Sequence, residues 1–284
     1  MDGPTLWFFG LATMAVLSLI AGSRLGRWSS FYSMMILFIA LLCICVCSWL
    51  QRNPALAAKL IPVGTLQYLE GTASVPFFML ILGIAWTRSC RLRQRALLGV
   101  GVIVGMVLFL QSGLWMIQRT PDPTAFEAYP GMSHILLQSQ DYSCVSAASA
   151  TALNLMGYHS TEAQMARYTN TRPMTGATTF RTVEGLQRRL SGTGVDVQLV
   201  DARVDQLATL PTPMLLTVNF TSNRRYNHMV VLVYTNQQGA QLADPQDGMY
   251  FMRWDELKSV IAGPAIYFHR SPTHFPMGPV ASAQ

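Results

Sequence analysis

Four charge-free apolar stretches fill most of the first 117 residues: Leu6–Gly22, Phe31–Leu50, Gly71–Trp86 and Ala96–Ile117. Each is close to the roughly 20 residues that a helix needs to cross a bilayer. They predict an N-terminal four-helix transmembrane region over residues 1–117, with the lipid bilayer as its surroundings. The first stretch reads as a retained helix and not a secretory signal. No basic residue precedes it, whereas Arg24 and Arg27 follow it, the reverse of a signal's flanks.

Charge divides the chain in the same way. Residues 1–117 hold eight Lys and Arg against two Asp and Glu, a surplus that accounts for the whole net charge of +6. Residues 118–284 hold twelve of each sign. The C-terminal half therefore offers no basic excess to a phosphate backbone, which excludes nucleic acid as a partner. The basic surplus reports topology instead. Arg24 and Arg27 follow the first stretch, and Arg88, Arg91, Arg93 and Arg95 follow the third, while Arg52 and Lys59 after the second are offset by Glu70. Because Lys and Arg stay on the cytoplasmic side, both termini are expected outside, with the C-terminal half facing the periplasm or the cell exterior. This orientation depends on the third stretch, which is short and carries Pro76. In the fourth, the glycines of Gly101-Val102-Ile103-Val104-Gly105 predict close helix packing within the bundle.

The five cysteines separate by position. Cys43, Cys45 and Cys47 recur every second residue inside a predicted helix, which is not metal-ligand spacing, and read as small apolar filler. Cys90 sits in a basic link expected to face the reducing side. Cys144 alone lies in the C-terminal half, and an unpaired thiol in an oxidising compartment is a liability unless it is used. Nothing in the chain asks for a metal or a cofactor.

A linker is expected over 118–137, with Pro121, Pro123, Pro130 and Gly131. Its twenty residues reach roughly 65 Å at full extension. The domain at 138–270 then reads helices first: Cys144–Met156, ending at Gly157; Glu162–Tyr168, opened by a Thr161/Gln164 capping box; and Phe180–Leu190. Strand patterns follow at Val195–Val200, Met214–Phe220, Met229–Tyr234, Ala240–Ala243, Met249–Trp254 and Ala265–His269, with a short helix at Asp255–Ala262. Helices followed by an antiparallel sheet make an α+β domain. The Pro- and Ala-rich tail, 271–284, reads as disordered.

A helix starting at or just before Cys144 points its free N–H groups and positive dipole end at the sulfur, favouring the thiolate. A thiolate nucleophile needs a base, and the base needs an orienting group. Of five histidines, His134 is in the linker and His274 in the tail, His159 lies between helices, and His269 closes the last strand. His228 opens an apolar strand, where rigid backbone would fix its ring. If Tyr234 pairs with Ala240 across the hairpin, Val230 faces Asp244, which comes within one or two residues of His228 and can hold its tautomer. Asp247 is a weaker rival, since Asp247-Gly248 already reads as a turn. An amide donor for a tetrahedral oxyanion could be Gln138 or Gln140, and spacing does not choose between them.

These pieces occur in a distinctive order: Gln138-xxxxx-Cys144, Met156-Gly157-Tyr158, Gly176-Ala177-Thr178, Pro213 before a strand, Asn227-His228-Met229-Val230-Val231-Leu232 and Ala243-Asp244-Pro245. Together, over roughly Gln138 to His269, they resemble the bacteriocin-processing (double-glycine leader) cysteine peptidases of the papain-like superfamily. The resemblance implies a papain-like peptidase domain with Cys144 as nucleophile, His228 as base, Asp244 as orienting acid and Gln138 as oxyanion donor. It departs where Ser143 and Val145 flank the cysteine, and the chain has no phosphate-binding Gly-Lys-Ser/Thr loop. The expected function is a membrane-anchored thiol protease. It would cleave extracytoplasmic peptides or proteins near the membrane surface through a thioester. An acyltransferase or amidase would use the same Cys-His-Asp site. A silent peptide-binding module would instead regulate a membrane-protein partner.

Overall fold

The computed structural model describes residues 3–119, 121–126, 135–173, 175–220 and 227–270. It divides into two compact units, Met1–Arg119 and Thr120–Gln284. The expected tail and His134 lie outside the described residues.

The first unit contains α1 (Gly3–Leu25), α2 (Ser30–Arg52), α3 (Pro54–Leu60), α4 (Val63–Leu69), α5 (Val75–Arg88) and α6 (Leu92–Ile117). Among the described residues three helices, α1, α2 and α6, of 23, 23 and 26 residues, are long and apolar enough to cross a membrane. The third apolar stretch, expected to cross as well, forms a shorter helix. Gly71 turns the chain with φ 73°, and Pro76 opens the helix behind it, leaving an α5 of 14 residues. A helix of that length rises about 21 Å, short of a bilayer core of roughly 30 Å.

Short as it is, α5 is packed backbone to backbone on α1. A Cβ on Gly22 would stand 2.2 Å from the Leu80 carbonyl oxygen, and one on Gly83 2.3 Å from that of Leu19. Further along, Gly26 abuts Ile84 and Thr87. Before α5, Tyr68 of α4 stacks on Trp7 at 5.2 Å and on Trp115 at 5.6 Å. Tyr68, Leu80 and Ile84 thus meet Trp7, Gly22 and Gly26 in order, so α5 runs parallel to α1, with Tyr68 of α4 beside its start. Gly101 and Gly105 of α6 face Leu82 and Phe78 of α5, placing the small-residue face inside this bundle. Arg88 ties the basic end together. It donates to the carbonyls of Gly26 (3.2 Å) and Trp28 (3.1 Å) and to the Ser33 hydroxyl (2.9 Å).

The second unit opens with a 3-10 turn at Pro123–Ala125. This part of the expected linker is folded onto the domain. The Ala125 carbonyl accepts from the Gln140 amide at 2.8 Å, Phe126 packs edge-on to Tyr142, and the Leu136 N–H donates to the Thr151 hydroxyl at 2.9 Å. Three helices follow: α7 (Cys144–Leu155), α8 (Glu162–Tyr168) and α9 (Thr179–Arg189). The Thr161/Gln164 capping box is formed, and Gly157 closes α7 with φ 87°, a left-handed conformation that favours glycine.

Six strands then build one antiparallel sheet in the order β1-β6-β2-β3-β4-β5. They are β1 (Val195–Val200), β2 (Met214–Val218), β3 (His228–Thr235), β4 (Gly239–Asp244), β5 (Gly248–Arg253) and β6 (Ile261–Arg270), with α10 (Val204–Leu207) after β1 and α11 (Trp254–Val260) after β5. Every residue of β2 is buried. Leu216, Val230, Leu232 and Leu242 pack with Leu207 of α10 and Leu257 of α11, while α7 lies against β3. A helix-then-sheet α+β domain is thus present as expected. One register detail differs: Thr235, not Tyr234, pairs with Ala240, and a bulge between Leu232 and Tyr234 restores Val231 opposite Ala243. Asp244 therefore still stands one pair beyond, level with Val230.

Candidate active site

Cys144 is the first residue of α7, and Ser143 before it is non-helical, with φ −104° and ψ 11°. The run ahead of it is cross-braced. The Gln140 carbonyl accepts from the Ser143 N–H at 3.1 Å, the Ser143 hydroxyl at 2.8 Å and the Gln138 amide at 3.1 Å. Two further ties anchor this loop to the rest of the unit. The Gln138 N–H donates to the Pro245 carbonyl at 2.7 Å, beside Asp244. The Ser139 N–H donates to both carboxylate oxygens of Glu162, at 3.1 and 3.2 Å, and Glu162 is only 4% exposed.

His228 begins β3, and its Nε2 lies 2.6 Å from Oδ1 of Asp244. Both residues are buried, Asp244 completely. The same Oδ1 accepts the Gln246 N–H at 2.7 Å, which fixes the carboxylate toward the ring. Cys144 is the second partner of the imidazole. With Nε2 taken by Asp244, the ring's Nδ1 remains for the sulfur. Burial pulls the His228 pKa down, but the Asp244 hydrogen bond, the Cys144 hydrogen bond and the negative charges of both outweigh it, raising the pKa from 6.5 to about 9. Stabilisation from the charged ring is complete below 6.5 and is lost as pH rises through about 9.

The structure thus brings Cys144, His228 and Asp244 together and ties Gln138 to the Asp244 turn. Gln140 is held elsewhere, its amide donating to Ala125. Asp247 precedes Gly248 in the β4–β5 turn, where Gly248 has φ 83°. The His159 carbonyl accepts from Arg189 at 2.9 Å, and His269 lies beside Tyr267 on β6. Glu162 is the residue that sequence reasoning missed. It reads as an acid in the first turn of α8, a common place for one, and nothing local signals that it grips a loop 23 positions earlier. Among the described residues no cluster of three His, Cys, Asp or Glu could hold a metal ion.

Residues 132–273, half of the chain, match the model of the Peptidase C39 family. This chain belongs to that family. As a Peptidase C39 member it is a cysteine peptidase with a papain-like domain. Similar curated relatives come from two archaea. An uncharacterized protein of Methanothermobacter marburgensis is 26% identical over 145 residues, 51% of this chain and 94% of the relative. One of Methanothermobacter thermautotrophicus is 27% identical over 140 residues, 48% of this chain and 88% of its own. Among solved structures, the peptidase domain of Streptococcus ComA, a bi-functional ABC transporter involved in quorum sensing, is 19% identical with a TM-score of 0.41. It covers 48% of this chain and 96% of that one. A double glycine motif protease from an AMS/PCAT transporter, in complex with its leader peptide, is 16% identical with a TM-score of 0.41, covering 55% and 96%.

Proposed function

We propose that the chain is a membrane-anchored peptidase in which Cys144, His228, Asp244 and Gln138 cleave peptide bonds of polypeptides presented at the outer membrane face. The observation carrying the site is the buried 2.6 Å His228–Asp244 pair with Cys144 as the ring's other partner. In this reading the Cys144 sulfur attacks the scissile carbonyl, and the negative charge moves to the carbonyl oxygen. The imidazolium then gives its proton to the departing amine, leaving a thioester. Water, losing a proton to the ring, attacks the thioester and frees the acid and the thiolate. Asp244 holds the ring's orientation and its charge throughout.

The side-chain amides of both Gln138 and Gln140 already have a carbonyl partner, so the assignment of Gln138 to the oxyanion rests on its place six residues before Cys144 and on its backbone tie to Pro245, beside Asp244. Removing such a donor costs roughly 100- to 1,000-fold in turnover. Turnover of Gln138→Ala and Gln140→Ala on a common peptide should differ in that sense. A larger loss in Gln140→Ala would reverse the assignment.

The charged ring also sets a pH dependence. With the His228 pKa at about 9, kcat/KM should hold through neutral pH and fall as pH rises through about 9. A fall centred near 6.5 would mean that the ring acts without Asp244 and Cys144.

In the proposed orientation α4, the Gly71 turn and α5 together make one discontinuous crossing. It is supported by the parallel packing of α5 on α1, by the Trp7–Tyr68–Trp115 stack at one end, and by Arg24, Arg27, Arg88, Arg91, Arg93 and Arg95 at the other. An even number of crossings puts the peptidase domain opposite the arginine end, outside. Reporters active only outside the cytoplasm, fused after Cys90 and after Gln284, should be silent at Cys90 and active at Gln284. The opposite pattern would invert the topology.

A further inference from the structure

We propose that the membrane unit binds one anionic phospholipid, its acyl chain lying along α1, α5 and α6 and its phosphate at the arginine end. Two cavities carry the inference. The larger, of 410 Å³, is lined by Ser23 and Trp86 at the arginine end and by Gly99 of α6. The other, of 230 Å³, continues toward Phe8 and Phe109 with a wholly apolar lining. Leu19 and Val102 line both, so the two lie end to end along α1 and α6 as one apolar track.

Length, polarity and charge select its occupant. From Ser23 to Phe8 the groove follows α1 for about 22 Å at 1.5 Å per residue. One leaflet of hydrocarbon is roughly 15 Å deep, so an acyl chain entering at Ser23 is accommodated in full. A water-soluble ligand would find no polar partner along that path, because Ser23 at the mouth is the one hydroxyl in the lining.

Six arginines collect at that mouth: Arg24 and Arg27 after the α1 lining, Arg88 at the end of α5, and Arg91, Arg93 and Arg95 around the start of α6. Arg88 is spent on Gly26, Trp28 and Ser33, and Arg95 donates to the Ser89 carbonyl at 3.1 Å. The acids of this unit, Asp2 and Glu70, lie elsewhere in the sequence, before α1 and after α4. Basic side chains at a bilayer surface attract anionic headgroups in this way. The site is independent of the peptidase chemistry, so its failure and that of the proposed active site are read out separately.

The test uses the full chain in mild detergent with mixed micelles of phosphatidylglycerol and phosphatidylcholine, bound lipid being counted by native mass spectrometry. One phosphatidylglycerol should be retained, at about tenfold or greater preference over phosphatidylcholine. Gly99→Leu should abolish retention of either lipid by filling the groove. It is compatible with the fold, since a Cβ there meets only Trp86 at 3.8 Å. The double variant Arg24→Gln/Arg27→Gln should keep a lipid but lose the headgroup preference. Equal retention of the two lipids by the unaltered protein would overturn the proposal, as would undiminished retention in Gly99→Leu with its helical content intact.

Discussion

Replacing Cys144 by alanine is expected to lower turnover on any accepted peptide by about 10⁵- to 10⁶-fold, the cost of deleting a nucleophile in a comparable relay. The fold should survive. Cys144 is half-buried at the first position of α7, and alanine is the residue a helix tolerates best. Binding should survive as well, because the loop ahead of it is held by backbone and by Ser143, Gln138 and Glu162, not by the thiol. The variant should therefore bind a peptide substrate with little change in affinity while leaving it intact. The check is a pair of measurements, cleavage by mass spectrometry and binding by calorimetry. Residual cleavage above about one per cent of the wild-type rate would move the nucleophile to another residue.

Asp244→Ala should cost about 10⁴-fold in kcat, comparable to removing the orienting acid of a hydrolase triad. Asp244 is completely buried, and its Oδ1 serves both the imidazole and the Gln246 N–H. Alanine leaves the ring without a partner for Nε2 and frees it to turn away from the sulfur. Asp244→Asn separates orientation from charge. An amide oxygen at the same place can accept both bonds, so much of the activity should return. The raising effect of the carboxylate on His228 would be gone, and the alkaline limb of the rate profile should move below about 9. Equal loss in the alanine and asparagine variants, with an unmoved limb, would make Asp244 a residue of the turn and nothing more.

Much of this arrangement is legible in the chain because short-range physics governs it. An Ala-rich run that begins at Cys144 and stops at Gly157 makes a helix with the thiol at its positive end. An apolar strand opened by His228 and a hairpin returning to Asp244 bring base and acid together, although the pairing arithmetic starts one residue away from the true partner. The bulge between Leu232 and Tyr234 absorbs that error. A bulge leaves little trace in a run as uniformly apolar as Met229–Tyr234.

What the sequence hides depends on contacts between distant segments or on a break inside an apolar run. The third apolar stretch reads as one helix from Gly71, yet Gly71 turns the chain and the helix begins only at Val75, with Pro76 in its first turn. The prolines at 121 and 123 mark a linker, and nothing near them signals that the Ala125 carbonyl is bound by Gln140. Glu162 becomes legible only once α8 is folded against the loop before Cys144.

Trapping Cys144 shows whether it is a nucleophile activated by His228 and Asp244. The full-length protein is treated with a peptidyl chloromethyl ketone, and the adduct is located by intact mass and peptide mapping. The account predicts one equivalent added, on Cys144, with Cys43, Cys45, Cys47 and Cys90 untouched and labelling slowed strongly in Asp244→Ala. Labelling spread over the other cysteines, or proceeding at Cys144 equally fast without Asp244, would contradict it.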